Sequence, residues 1–189
     1  MIQSQKDSGH KMRPLPGDLS RDELLARMIR VDQAGEYGAK RIYEGQIAVL
    51  GRGPDGPVLK EMAATEQEHL DTFNKLMVER RVRPTLLTPL WHAAGFALGA
   101  GTALMGREAA MACTVAVEEV IEEHYANQAA QLDEDEGELR DTIKKFRDEE
   151  LEHKETALAQ GAEQAPAYPA LSAAVKTGSR LAIWLSERI

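Results

Sequence analysis

Cysteine is almost absent from this chain. The single Cys113 cannot form an intrachain disulfide, so a reducing compartment fits. It lies within the apolar run Ala109 to Val117, where the sequence predicts a buried, inert thiol rather than a nucleophile. Aromatic residues are also scarce, at 5%, while Ala, Leu and Glu abound, a balance that suits helices better than strands. Basic charge is in deficit: 23 Lys and Arg face 31 Asp and Glu, giving a net charge of −8. A polyphosphate binder needs a basic surface, so nucleic acid is excluded as a partner. The acidic run Asp133 to Glu138 reads as a solvated loop or helix end. No Gly-x-Gly-x-x-Gly fingerprint precedes a helix, so no dedicated dinucleotide fold is expected. Residues 1–20 lack the apolar core of a signal peptide and mix Lys6, Lys11 and Arg13 with Asp7 and Asp18. They do not read as a targeting segment, although a processed chain would also lack one.

The 189 residues suit one well-buried domain and are few for two. Residues 1–19, with Pro14, Pro16 and Gly17, read as a flexible arm, and 20–189 as the domain. Ser20-Arg21-Asp22-Glu23 is a capping box that starts a helix near Arg21. Its inward stripe is Leu25, Met28, Asp32, Gly35/Glu36, Ala39, Ile42/Tyr43, Gln46 and Val49, and the breakers Gly51 to Pro57 end it. A second helix runs to about Arg81, with Leu59, Met62, Glu66, His69, Phe73 and Leu76 inward. Helices over about 107–132 (Met111, Val115, Glu118, Glu122, Tyr125, Ala129) and 138–160 (Ile143, Phe146, Glu150, His153, Ala157) form a second hairpin, ended by Gly161. Between the hairpins, residues 84–106 hold 23 positions without a charge. Their prolines, glycines and alanines favour a helix in a membrane interface, with a buried element and a true span as alternatives. The Gly95 to Gly99 spacing is a weak sign of close helix packing. A last helix after Pro166 and Pro169 carries Leu171, Val175, Leu181, Trp184 and Leu185 among Lys176, Arg180 and Arg188. That pattern suits a membrane-surface helix and a core-capping helix equally. The expected fold is all-α: a ferritin-like four-helix bundle of two pseudo-repeated hairpins, an apolar crossover helix and a C-terminal amphipathic helix.

The repeat carries the chemistry. Glu66-Gln67-Glu68-His69 recurs 84 positions later as Glu150-Leu151-Glu152-His153. In a helix, Glu and His three apart diverge by about 60°, which suits two ligands of one metal. Glu36 lies 30 positions before Glu66, and Glu118 lies 32 before Glu150. Together they form the ligand set of a dinuclear carboxylate site in a bundle. With 21 glutamates in the chain, one Glu-x-x-His match alone is weak. The weight comes from four carboxylates on inward stripes, which burial disfavours unless cations neutralise them. Carboxylate and imidazole ligands suit iron or manganese, with zinc and copper allowed by affinity. Glu36 and His69 are assigned to one metal, Glu118 and His153 to the other, and Glu66 and Glu150 to both.

Glu119 points about 100° from Glu118 and is set aside; Glu122 reads as a surface or outer group. Metal-bound histidines usually donate their second nitrogen to a carboxylate. Asp32 and Asp148 are candidates for that role, with ordinary surface charge the favoured reading. Tyr43 and Tyr125 each follow an upstream glutamate by seven positions, and His124 follows Glu118 by six. The tyrosines read as packing plus a hydrogen bond, with pocket lining or electron transfer as the alternative. His10 and His92 are left out of the ligand set.

Asp32-Gln33-Ala34-Gly35-Glu36-Tyr37-Gly38-Ala39 resembles the opening motif of the demethoxyubiquinone hydroxylase family of ubiquinone biosynthesis. So do Arg83-Pro84-Thr85, Gly95 to Leu104, Ala112 to Glu119, Lys145 to His153, and Ser186-Glu187-Arg188; the likeness runs from about Asp22 to the C-terminus. The resemblance implies a di-iron monooxygenase attached peripherally to a membrane, on the cytoplasmic face of a bacterial inner membrane or the matrix face of a mitochondrial one. It implies hydroxylation of a 2-polyprenyl-3-methyl-6-methoxy-benzoquinol by O2 with electrons from NADH, and iron ligands at Glu36, Glu66, His69, Glu118, Glu150 and His153. It also implies an accessory lipid-binding partner, and a homodimer is allowed. The competing expectations are a ferritin-type protein that oxidises and stores iron, and a metal-free membrane-associated scaffold.

Overall fold

A computed structural model describes residues 17–189, and most of the expected arm, with His10, lies outside them. Among the described residues the chain is all helical: α1 (Arg21–Leu50), α2 (Gly56–Glu79), α3 (Thr88–Leu104), α4 (Arg107–Ala129), α5 (Gly137–Ala159) and α6 (Tyr168–Ser186). The ends follow local chemistry. The Ser20 hydroxyl accepts from Glu23 N–H at 3.3 Å, while Ser20 N–H donates to the Glu23 carboxylate at 2.9 Å, closing the capping box. Pro57, Pro89 and Pro169 sit in the first turns of α2, α3 and α6, where a missing N–H costs nothing. Gly161, at φ +91°, stops α5 in the left-handed region that favours glycine.

The hairpins α1–α2 and α4–α5 form the ferritin-like bundle, with α3 lying along α1 and α6 along α4. Helix α4 is enclosed on nearly every side, and Ala109 to Glu118 are buried without a break. Two apolar clusters fill the interior. One gathers Leu25, Met28, Ile29, Phe73, Met77, Ile143 and Phe146. The other gathers Leu59, Met62, Met111, Val115, Ala157 and Ala162. The stripe of α5 is buried in full, but that of α1 stops at Gln46, because Val49 faces outward as the helix ends.

Helix α3 touches α1 backbone to backbone. A Cβ built on Gly99 would fall 1.9 Å from Ile42 O, and one on Gly45 would fall 2.3 Å from Phe96 O. Only glycine permits that approach, so the Gly95–Gly99 spacing does mark close packing. At 17 residues α3 spans about 25 Å, short of the ~30 Å hydrocarbon layer. No helix among the described residues is long and apolar enough to cross a membrane.

Candidate metal centre

All six residues singled out in the sequence meet at one level of the bundle. Glu36 comes from α1, Glu66 and His69 from α2, Glu118 from α4, and Glu150 and His153 from α5; each is buried. They form two overlapping groups, Glu36/Glu66/His69/Glu150 and Glu66/Glu118/Glu150/His153, each with ligand atoms within 4.8 Å of one another. Glu66 and Glu150 belong to both groups. His69 Nδ1 faces Glu150 Oε1 at 3.1 Å and Glu36 Oε2 at 3.4 Å. His153 Nδ1 faces Glu66 Oε1 at 3.2 Å and Glu150 Oε2 at 3.4 Å.

The electrostatics suit cations. Glu36 Oε2, both oxygens of Glu66, Glu118 Oε2 and Glu150 Oε2 are buried without a hydrogen-bond partner. Burial and the facing carboxylates push Glu66 and Glu118 well above the usual carboxylate range. Burial opposes charge on His69 as well, but hydrogen bonds to Glu150 and Glu36 outweigh it and raise the imidazole to about 12. Burial works against ionisation of Glu150 too, yet hydrogen bonds from His153 and His69 bring it down to about 2. Without metal, protons therefore do the neutralising. Two divalent cations would balance the four carboxylates with both imidazoles neutral, so the donor set fits a dinuclear centre.

Two tyrosines brace the cluster reciprocally. Tyr43 of α1 donates to Glu118 Oε1 of α4 at 2.7 Å, and Tyr125 of α4 donates to Glu36 Oε1 of α1. Their shared seven-residue offset from Glu36 and Glu118 was the visible signal. Glu119 ion-pairs with Lys176, and Glu122 with Lys154, so both stand outside the cluster.

The favoured reading of surface charge holds for Asp148, which is exposed, and fails for Asp32, which is buried. Asp32 is buried but pairs with His124 at 3.3 Å and accepts from Gln128 at 2.8 Å; Asp148 pairs with Arg147 at 2.7 Å. Neither reaches a candidate ligand. The residue that does is Glu149, whose Oε2 lies 2.9 Å from His69 Nε2. The sequence gives Glu149 no distinction, because its approach to His69 depends on how α5 is rotated against α2. His92 lies on the surface, 2.6 Å from the Tyr37 hydroxyl. Cys113 is buried, and burial pushes its thiol up to about 12, which makes it a poor nucleophile.

Beside the cluster lies a groove of about 370 Å³ between α1, α3, α4 and α6. Gly35 and Val117, which line it, directly precede Glu36 and Glu118; Ala39 and Ile121 follow one turn on. Its walls are apolar and small, including Ala34, Gly38, Ala94, Gly178 and Ala182. Trp91 Nε1–H donates to Ser186 Oγ at 3.0 Å and joins α3 to α6 along the groove.

The chain is similar to known proteins over most of its length. The profile of the family described as ubiquinone biosynthesis protein COQ7 matches residues 23–186. The 3-demethoxyubiquinol 3-hydroxylase of Rhodospirillum rubrum is 60% identical over 176 residues, covering 93% of this chain and 83% of that protein. The human protein named NADPH-dependent 3-demethoxyubiquinone 3-hydroxylase, mitochondrial, is 60% identical over 167 residues, 86% of this chain and 77% of its own. The 5-demethoxyubiquinone hydroxylase of Saccharomyces cerevisiae is 50% identical over 183 residues, covering 88% and 78%. With its buried carboxylate and histidine cluster on a ferritin-like bundle, this chain belongs to the demethoxyubiquinone hydroxylase family.

Proposed function

We propose that this chain is a di-iron monooxygenase that hydroxylates the ring of a polyprenyl demethoxyubiquinol. The observation that carries the reading is the convergence of four buried glutamates and two histidines in two overlapping ligand groups, beside an apolar groove. Glu36 and His69 would hold one iron, Glu118 and His153 the other, and Glu66 and Glu150 would contribute to both. The reaction replaces a ring C–H by C–OH, consumes O2, two electrons and two protons, and releases water. When bound, the iron pair supplies dioxygen activation, which no side chain here supplies.

The chain's own residues provide position and environment. The Tyr43 and Tyr125 hydroxyls each hold one oxygen of a glutamate, which leaves Glu118 Oε2 and Glu36 Oε2 turned to the centre. The apolar groove takes the ring and first isoprene units, which displace water from its walls on binding. Its rims carry Leu90 on α3 and Leu181 and Trp184 on α6, each about half exposed. Arg180 and Arg188 stand beside them. This combination supports a protein seated on a membrane surface and drawing its substrate laterally from lipid, alone or from a lipid-binding accessory protein.

Electrons come from a reduced nicotinamide. The resemblance implied NADH, while the names of the bovine and human relatives specify NADPH, so both belong in the assay.

Iron-loaded protein, either nicotinamide, a short-chain demethoxyubiquinone and ¹⁸O-labelled O2 are incubated together, and the quinone is weighed by mass spectrometry. One labelled ring oxygen, absent with Glu150→Ala, is expected. Oxidisable iron without ring labelling, in a large hollow oligomer by gel filtration, would transfer the protein to iron storage.

A further inference from the structure

The 84-residue offset that places Glu66 on Glu150 and His69 on His153 also sets Glu61, Met62 and Thr65 against Lys145, Phe146 and Glu149. There the repeat breaks, and the two histidines acquire unlike surroundings.

His69 is fixed on three sides. Its Nδ1 faces the carboxylates, its Nε2 meets Glu149 Oε2 at 2.9 Å, and its ring stacks on Phe146 with centroids 3.9 Å apart and planes 26° apart. Glu149 is held in turn by Lys145 Nζ, 3.2 Å from Oε1. His153 has none of this. Among the described residues no hydrogen bond to its Nε2 is found, and its ring neighbour is Tyr43, edge-on at 6.1 Å. Thr65, the counterpart of Glu149, turns its hydroxyl onto Glu61 O of its own helix.

From this broken symmetry we propose that the two metal positions are unequal by construction. Glu149 is a positioning residue that readies His69, so the position served by Glu36 and His69 takes up metal first and holds it more tightly. The inference rests on the dinuclear reading given above. A carboxylate on Nε2 keeps the proton on that nitrogen, so the proton that metal displaces is the one on Nδ1, and the Nδ1 lone pair so freed is a stronger donor. The stacked Phe146 removes the ring's remaining freedom before metal arrives, so less ordering is left to occur on binding. His153 must be ordered by the metal itself.

Full-length apo protein is titrated anaerobically with Co(II), followed by visible absorption and by the shifted ¹H resonances of the bound histidines. Two uptake steps separated by at least about tenfold in affinity are expected. The first equivalent should reveal one slowly exchanging imidazole N–H, that of His69 held by Glu149. Glu149→Ala should weaken the first step by about 10–100-fold, make that proton exchange quickly, and leave the second step unchanged. Glu149→Gln still accepts from Nε2–H without the charge, and should restore slow exchange with only part of the affinity. Thr65→Glu, the reverse substitution, should tighten the second step alone. Equal steps in the wild type, or equal weakening of both by Glu149→Ala, would overturn the proposal and leave the dinuclear reading intact. Absence of any Co(II) uptake by wild-type protein would overturn that reading, and this one with it.

Discussion

Helices α1 and α4 each build two adjoining regions of opposite character. Toward α2 and α5 they present Glu36, Tyr43, Glu118 and Tyr125, in a layer that gathers four buried glutamates and two histidines. Toward α3 and α6 they present Gly35, Gly38, Ala39, Val117 and Ile121, lining a groove without an ionisable side chain. The metal layer is costly to fold, since burial opposes each charge it contains. The groove is costly in another way, because it leaves apolar surface uncovered. A ligand would be the common remedy: cations would neutralise the first region and an apolar molecule would cover the second. Sequence adjacency, Glu36 after Gly35 and Glu118 after Val117, ties the two sites together.

The most damaging way to break the comparison is to make the polar layer inert. Glu66→Gln keeps the shape of a residue shared by both metal groups and removes its charge, so metal uptake and hydroxylation should be abolished. The apo protein should fold at least as well as wild type, because burial already favours the uncharged form of Glu66. The pH dependence carries the same sign. Carboxyls raised in the folded state, as Glu66 and Glu118 are, bind more protons folded than unfolded. Their contribution is complete below the unfolded carboxylate pKa of about 4.3 and is lost as pH rises toward their folded values. Urea titrations of metal-free protein should show stability declining from pH 5 to pH 8, with a shallower decline in Glu66→Gln. Iron affinity should move the opposite way and rise with pH, since metal displaces those protons.

Next in size is the groove's exposed rim. Leu90→Asp combined with Trp184→Glu removes two half-exposed apolar side chains and adds two negative charges. At about 1.5 kcal/mol or more for each side chain, binding to anionic vesicles should weaken by about a hundredfold or more. Iron content, set by the other face of the helices, should not change. Co-sedimentation and metal analysis read the two independently, and unchanged vesicle binding would remove α3 and α6 as the membrane face.

Much of this was legible in the sequence because it rests on local rules. Ser20 with Glu23, the prolines of three first turns and Gly161 mark helix ends through chemistry confined to a few neighbours. The six-residue set was visible because a repeat shows itself as spacing. What remained hidden depends on how helices are rotated against each other. Asp32 was favoured as surface charge over a partner for a metal-bound histidine, yet it is buried, where His124 and Gln128 of α4 claim it. Nothing in the sequence sets Glu149 apart from its neighbours, yet His69 reaches it from α2. The groove was invisible for the same reason: glycine reads as a breaker or a packing residue until its neighbours are known.

The glycines sharpen the comparison further, with smaller effects of opposite sign. Gly99 and Gly45 let α1 and α3 touch, so Gly99→Ala forces the helices apart and should cost about 1–3 kcal/mol in a urea titration. Gly35 and Gly178 line the groove, and a Cβ at either meets nothing within 4 Å. No contact and no positive φ requires glycine there, and mid-helix glycine is worse than alanine by roughly 0.5–1 kcal/mol. Gly35→Ala should therefore raise stability by about that amount. If the groove holds the quinol, the same methyl group narrows it beside Glu36, and KM for a short-chain demethoxyubiquinol should rise severalfold while iron content stays fixed. Greater stability with poorer substrate binding is a pair that packing alone does not produce. Greater stability with unchanged KM would mean that the substrate passes elsewhere, and that these glycines hold open no space that the reaction uses.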